Sequence, residues 1–206
     1  MMGYGNIKGI SGIGTLIIFI ALIITSAVAA IVLLGTAESL QSQATSTGKQ
    51  SEKQVSSQLL ITQVIGIIKN TTTINKFRIV LRPAPGSSNI YLKNTFLTFS
   101  DGSTIRTGII FDDPLDDTPY ENIQSSVDTN ANDTNEFTVY WFGKPTNYNL
   151  RDSVKPDEMI EIYYYSGDIT GNTNILIEIM PSIGAPSMAE FRLPTSFDGN
   201  NIQLFP

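Results

Sequence analysis

Four carboxylates stand close together in FDDPLDDTPYE, at Asp112, Asp113, Asp116 and Asp117. Carboxylate oxygens are the ligands that a hard cation such as calcium takes. Their spacing does not reproduce an EF-hand loop, and Asp and Pro are ordinary turn formers. The stretch therefore reads as a solvated acidic loop, with the four Asp as weak metal candidates and no metal assigned. Paired carboxylates also serve glycoside hydrolysis. Nothing in the neighbouring sequence would raise one of these pKa values, so no catalytic residue is assigned. Asn70-Thr71-Thr72 and Asn132-Asp133-Thr134 are Asn-x-Thr acceptors for N-glycosylation, usable on a segment that faces outward. Trp141 and the run Tyr163-Tyr164-Tyr165 read as sheet packing rather than a ligand box. Gly9, Gly12 and Gly14 do not make a phosphate loop, because no strand precedes them and no Lys follows.

Composition removes whole classes of chemistry. The 206 residues contain neither Cys nor His. Disulfides, zinc-finger clusters, Cys nucleophiles and Ser-His-Asp arrangements are therefore excluded, and the commonest neutral-pH base is gone. The net charge is −6, and the 13 basic residues are dispersed, mostly as singles. Nucleic-acid binding needs them gathered into a patch. We read a non-enzyme without a cofactor. An outward-facing chain without disulfides must be stabilised by a large core, by metal or sugar, or by assembly.

The elements that would position these residues fall into two kinds. No charge occurs between Lys8 and Glu38, and residues 16–34 are apolar apart from Thr25 and Ser26. Nineteen helical residues span about 28 Å, near the hydrocarbon thickness of a bilayer. Thirteen of them are Leu, Ile, Val or Phe, which favours insertion by about 4–8 kcal/mol. Lys8 keeps the preceding end in the cytoplasm. A secretory leader would be shorter and would break at a cleavage site. Here the helical pattern runs on to about Leu60 without a proline. Ala37, Leu40, Ala44, Gly48, Ser51, Val55 and Leu59 form a mostly small stripe suited to close helix–helix approach. From about Thr62 the period becomes two. QVIGIIK, INKFRIVLR, NTFLTFS, STIRTGIIF, EFTVYWF, EMIEIYYY, NILIEIM and MAEFRLP read as eight strands of a β-sandwich or barrel. Asp101-Gly102 marks a hairpin, and residues 112–135 form a long polar loop.

Lys8-Gly9 followed by ISGIGTLIIFIALIITSAVAAIVLL and GTAESLQSQATSTGKQ resembles the archaellins, the filament subunits of the archaeal flagellum. Weaker echoes occur in LRPAPGSSNIYL and IMPSIGAP. The resemblance implies an α+β chain, in which a long N-terminal hydrophobic α-helix precedes an immunoglobulin-like all-β sandwich domain. It implies a prepilin-type leader at residues 1–9, an assembly helix at 10–61 and an outer β domain at 62–206. A prepilin-type peptidase would cut between Gly9 and Ile10, next to Lys8. The helix would then leave the membrane and pack, through positions such as Gly12, Gly14, Phe19, Ile23, Ala27, Ala30, Leu34, Ala37, Leu40 and Ala44, among identical or paralogous subunits. Bacterial type IV pilins usually carry Glu where this chain has Gly14, which favours the archaeal family. The implied product is an extracellular swimming filament built on a membrane platform. An adhesive archaeal pilin is the near alternative, and a membrane-anchored β domain that binds sugar or solute is the one from another class.

Overall fold

The computed structural model describes residues 6–114, 133–142 and 152–205, and the side chains of residues 12–112, 133–142 and 152–205. The chain divides into two compact units at residues 50 and 51. The first is helical. Helix α1, Asn6–Ser56, is 51 residues long, or about 76 Å at the usual rise. It contains no proline, and its Ala, Leu and Gln hold helical geometry at little entropic cost, while its β-branched Ile supply apolar surface rather than propensity. Its hydroxyl side chains turn back onto their own helix. Thr25 Oγ1 donates to the Ala21 carbonyl at 2.8 Å and Ser26 Oγ to that of Leu22 at 2.7 Å, so the two polar residues of the apolar run carry their own acceptors.

The second unit is a β domain. Its strands are β1 (Leu59–Asn70), β2 (Thr73–Pro83), β3 (Ile90–Tyr91), β4 (Phe96–Ser100), β5 (Ile105–Pro114), β6 (Glu136–Trp141), β7 (Ser153–Val154), β8 (Ile160–Thr170), β9 (Asn174–Met180), β10 (Ser187–Arg192) and β11 (Asn201–Phe205). Nine join in the order β10-β9-β4-β5-β6-β8-β2-β1-β11, and β3 pairs with β7 apart from them. All eight strands read from the two-residue period are present. The ladder bends at β5. Ile105, Arg106 and Ile109 pair antiparallel with β4, whereas Ile110, Phe111 and Pro114 pair with β6 in the parallel sense. Gly108, at φ +72°, lies at the irregularity in the β4 pairing between Arg106 and Ile109, just before the switch to β6 at Ile110.

The layers close on an apolar core. Phe77 of β2 meets Phe99 of β4 with ring centroids 5.4 Å apart, and Phe99 meets Tyr164 of β8 at 5.2 Å. Phe77 also meets Phe191 of β10 at 6.3 Å. These tilted pairs join strands of opposite layers, so they define a sandwich. Leu59, Val64, Ile74, Ile162, Ile177 and Ile179 fill the space around them and are buried. The hairpin at Asp101 forms as expected. Asp101 Oδ1 accepts the backbone N–H groups of Ser103 and Thr104 at 2.9 and 2.6 Å, and Gly102 takes φ +77°.

Candidate assembly helix and the collar at its exit

The assembly residues read from sequence all lie on α1. At about 100° per residue, Gly12, Phe19, Ile23, Ala27, Ala30, Leu34, Ala37, Leu40 and Ala44 share one side of the rod, within an arc of about 140°, and Gly14 falls opposite. The apolar surface goes round the whole helix. The consecutive residues Ile17, Ile18, Phe19 and Ile20 are 61, 64, 65 and 48 % exposed and point to four different sides. Burying this surface against lipid or protein is favourable on the order of 15 kcal/mol, taking about 2 kcal/mol for each of thirteen large side chains and the exposed fraction of each. Nothing within 4 Å would meet a Cβ added at Gly12, Gly14, Gly35 or Gly48. These glycines leave shallow places on the rod where another backbone can approach. Lys8, Gly9 and Ile10 lie in the first turns of α1 by backbone, so the expected cleavage bond sits within helix.

How α1 ends was not foreseen in the sequence. Leu59 and Leu60, at the tail of the expected helical stripe, are the first residues of β1. The cause is a serine from another segment. Ser87 Oγ accepts the Gln58 N–H at 3.3 Å and donates to the Ser56 carbonyl at 3.1 Å. It captures the two backbone groups that one more helical turn would have used. Ser57 Oγ is 3.0 Å from Ser88 Oγ. On the other side, the Ala185 N–H donates to the Ser57 carbonyl at 3.0 Å, and Gln58 Nε2 to the Pro186 carbonyl at 3.3 Å. Gly184 takes φ +125°, and a Cβ there would run into the Ser57 carbonyl. Two turns far apart in the chain thus form a collar around residues 56–58. They are the segments LRPAPGSSNIYL and IMPSIGAP, whose density of Pro, Gly and Ser was the available signal.

The remaining candidates do not converge on this collar. Asn70 lies at the exposed tip of the β1–β2 hairpin with Thr71 and Thr72, its Nδ2 3.5 Å from Thr73 Oγ1. Asn132, Asp116 and Asp117 lie outside the described residues. Asp112 is exposed on β5, which also carries Asp113. The negative charge of Asp112, then burial, then the charge of Asp133 raise the Glu136 carboxyl above its ordinary value. Among the described residues, no group of three or more acidic side chains is arranged to hold a metal. One buried polar pair lies on the outward face of β8. Tyr163 Oη donates to Glu161 Oε2 at 2.6 Å, and Arg78 Nη1 is 3.8 Å from Glu161 Oε1. Burial raises the Glu161 carboxyl, against the opposing pull of the Tyr163 hydrogen bond and Arg78. Burial, then the Glu161 charge, raises the Tyr163 phenol.

Comparison with known proteins decides between the readings of such a chain. The family model for archaeal-type flagellin matches residues 9–191. This chain belongs to the archaeal-type flagellins. Flagellin B3 of Methanocaldococcus jannaschii is 32% identical to it, over 96% of this chain and 95% of that one. Flagellin B1 of Methanococcus voltae is 31% identical, over 97% and 96%. The fold agrees with solved relatives at lower identity. The archaeal flagellum of Methanospirillum hungatei strain JF1 aligns with TM-score 0.64 at 15% identity, over 95% of this chain and 99% of that one. The crystal structure of archaeal flagellin FlaB1 from Methanocaldococcus jannaschii aligns with TM-score 0.62 at 18% identity, over 72% and 97%. As an archaeal-type flagellin, the chain is a structural subunit of a cell-surface filament.

Proposed function

We propose that this flagellin is made as a membrane-inserted precursor and cut between Gly9 and Ile10 by a prepilin-type peptidase. It then packs through α1 among identical or paralogous subunits of an extracellular swimming filament. The assembly segment expected at residues 10–61 ends in this reading with α1 at Ser56, and the outer domain begins with β1 at Leu59 rather than at residue 62. The observation that carries it is the exposed, all-round apolar surface of α1. Such a surface is satisfied equally by lipid and by other apolar helices. Leaving lipid for a bundle therefore gains little hydrophobic energy. Packing at the glycines and at Ala21, Ala27, Ala29 and Ala30 supplies the difference.

A head-to-tail contact between such rods does not close on itself, which makes the product an open helical filament. The motor and its energy source belong to other proteins, the membrane platform among them, because the sequence has no nucleotide-binding motif. The role is mechanical, with no reaction assigned. We also propose that Asn70 and Asn132 carry N-linked sugar, supported at Asn70 by its exposed place at a hairpin tip.

The test is N-terminal sequencing of subunits from filaments sheared off the cell, with a deletion strain scored for swimming and for attachment. The expected results are an N-terminus at Ile10 and loss of swimming. Filaments whose subunits still begin at Met1 would sink the processing step. Loss of attachment with normal swimming would turn the reading toward an adhesive pilin.

A further inference from the structure

At the foot of the β domain, beside the collar, is a hollow of about 300 Å³ lined by Lys53, Ser88, Asn89, Ile90, Tyr91, Ser182 and Ile183. Tyr91 and Ile183 are each about half exposed there. A few residues along the chain from Tyr91 and Ile183, Phe96 of β4 pairs directly with Met180 of β9, and both are also nearly half exposed. Among the described residues of the lining, Lys53 is the single charged one. The nearby Lys93 already faces Asp152 at 3.8 Å. Apolar patches of this kind, rimmed by polar groups, mark interaction surfaces. The surface calls for a partner that is apolar and carries one carboxylate.

We propose that the hollow receives residues 31–41 of α1 from a second copy of this chain, with Leu34 against Tyr91 and Ile183 and Glu38 against Lys53. This rests on the filament reading above. The required pattern occurs on α1 at the point where apolar sequence gives way to polar. Glu38 is the first charge after the uncharged run, and Leu34 and Ile31, four and seven residues before it, lie on its face of the helix and are 63 and 69 % exposed. Gln41, three residues on, continues that face as a hydrogen-bonding group. Among the described residues, neither Glu38 nor Lys53 has an ion-pair partner. The two cannot meet within one copy, because 15 residues of straight helix separate them by roughly 22 Å. Between two parallel copies the same separation becomes an axial stagger of roughly 22 Å, and each subunit offers one donor face and one acceptor hollow. The contact is thus head-to-tail and propagates.

The chain's lack of Cys makes a clean test. Filaments of the double variant Glu38→Cys, Lys53→Cys are treated with a short bismaleimide and run on a denaturing gel. The expected result is a ladder of dimers, trimers and higher species, which links within one chain cannot produce. The pair Glu38→Cys, Ser103→Cys, with its second thiol at the β4–β5 turn, should give monomer. Filaments of the first variant that yield monomer overturn the docking while leaving the filament reading intact. Absence of filaments from the unsubstituted chain would instead sink the filament reading. If the Cys pair itself blocks assembly, charge exchange decides. Glu38→Lys and Lys53→Glu should each lower filament yield by about tenfold, and the two together should restore it. A double variant as poor as the singles overturns the proposal.

Discussion

Replacing Gly184 by Ala tests whether the collar holds the start of the β domain. At φ +125° the backbone is in a region that L side chains rarely adopt, which costs about 1–3 kcal/mol. The added Cβ would also strike the Ser57 carbonyl. Relieving that contact breaks the hydrogen bonds from Ala185 N–H to Ser57 and from Gln58 Nε2 to Pro186. Each is worth about 1 kcal/mol. The sum, about 3–5 kcal/mol, is a large share of the stability of a domain this size. At about 2–4 °C per kcal/mol for 150–250 residues, Tm should fall by roughly 6–20 °C. The assay is thermal melting of the β-sheet circular dichroism of the full chain in detergent. Gly108→Ala is the control, because Gly108 also has positive φ (+72°) but nothing lies within 4 Å of its added Cβ. It should cost about 1–2 kcal/mol from the backbone alone. A Gly184→Ala shift no larger than that of Gly108→Ala would refute the collar as a stabilising contact.

Ile23→Asp should abolish filaments while leaving the β domain folded, because an unpaired charge among apolar helices costs several kcal/mol per copy; electron microscopy of sheared material beside the same circular dichroism measurement checks it, and normal filaments would count against it. Gly9→Phe should leave an uncut, membrane-bound precursor about nine residues longer by mass, and normal processing would contradict the cleavage assignment. Asn70→Gln and Asn132→Gln should each remove one glycan mass from native subunits; unmodified peptides at both positions in the unsubstituted protein would withdraw the sugars. Glu161→Gln tests the buried carboxyl. Its pKa is raised in the fold, chiefly by burial, so the folded chain binds a proton that the unfolded chain has released. The ionised group is therefore a liability at neutral pH, relieved as pH falls through the raised value toward the ordinary 4.5. Relative to the Gln variant, the unsubstituted chain should gain stability over that window, and a loss there would reverse the assignment.

The sequence exposes elements whose signal is local, and hides what is made by distant segments meeting. The apolar run of α1 and the alternation in β1, β2 and β8 are set by periodicity, which survives without knowledge of the fold. β3, β7 and β11 escaped because two of them are two-residue pairings and the third, NIQLF, is a short edge strand with little alternation to read. The end of α1 escaped for a different reason. Residues 51–60 have no helix breaker, and Ser87, 30 residues on, stops the helix by taking the Gln58 N–H and Ser56 carbonyl. Burial of Lys76, Glu161 and Tyr163 on the outward side of β2 and β8 also lay beyond reach, since alternation marks charged positions as solvent-facing. Asp112 was legible as a charge, but its effect on Glu136, 24 residues later, depends on β5 pairing with β6.

In the proposed passage of α1 from lipid to a helical bundle, Thr25 and Ser26 are the residues that would have to suit both surroundings. A hydroxyl that needed an outside partner would tie α1 either to water or to a particular neighbour, because an unpaired polar group in an apolar medium costs several kcal/mol. Both hydroxyls instead donate to carbonyls four residues back on the same rod. The outer surface then presents hydrocarbon and small shallow places to whatever surrounds it. Lipid and sister helices become nearly equal solvents, and the balance between them passes to close packing at small residues and to the few charges that remain. Substitutions that enlarge Gly12, Ala27 or Ala30 should therefore harm assembly more than they harm membrane insertion, whereas apolar exchanges between Leu, Ile and Val on the same rod should be tolerated. A helix selected for partition alone would show the opposite order, since each added methylene would then help.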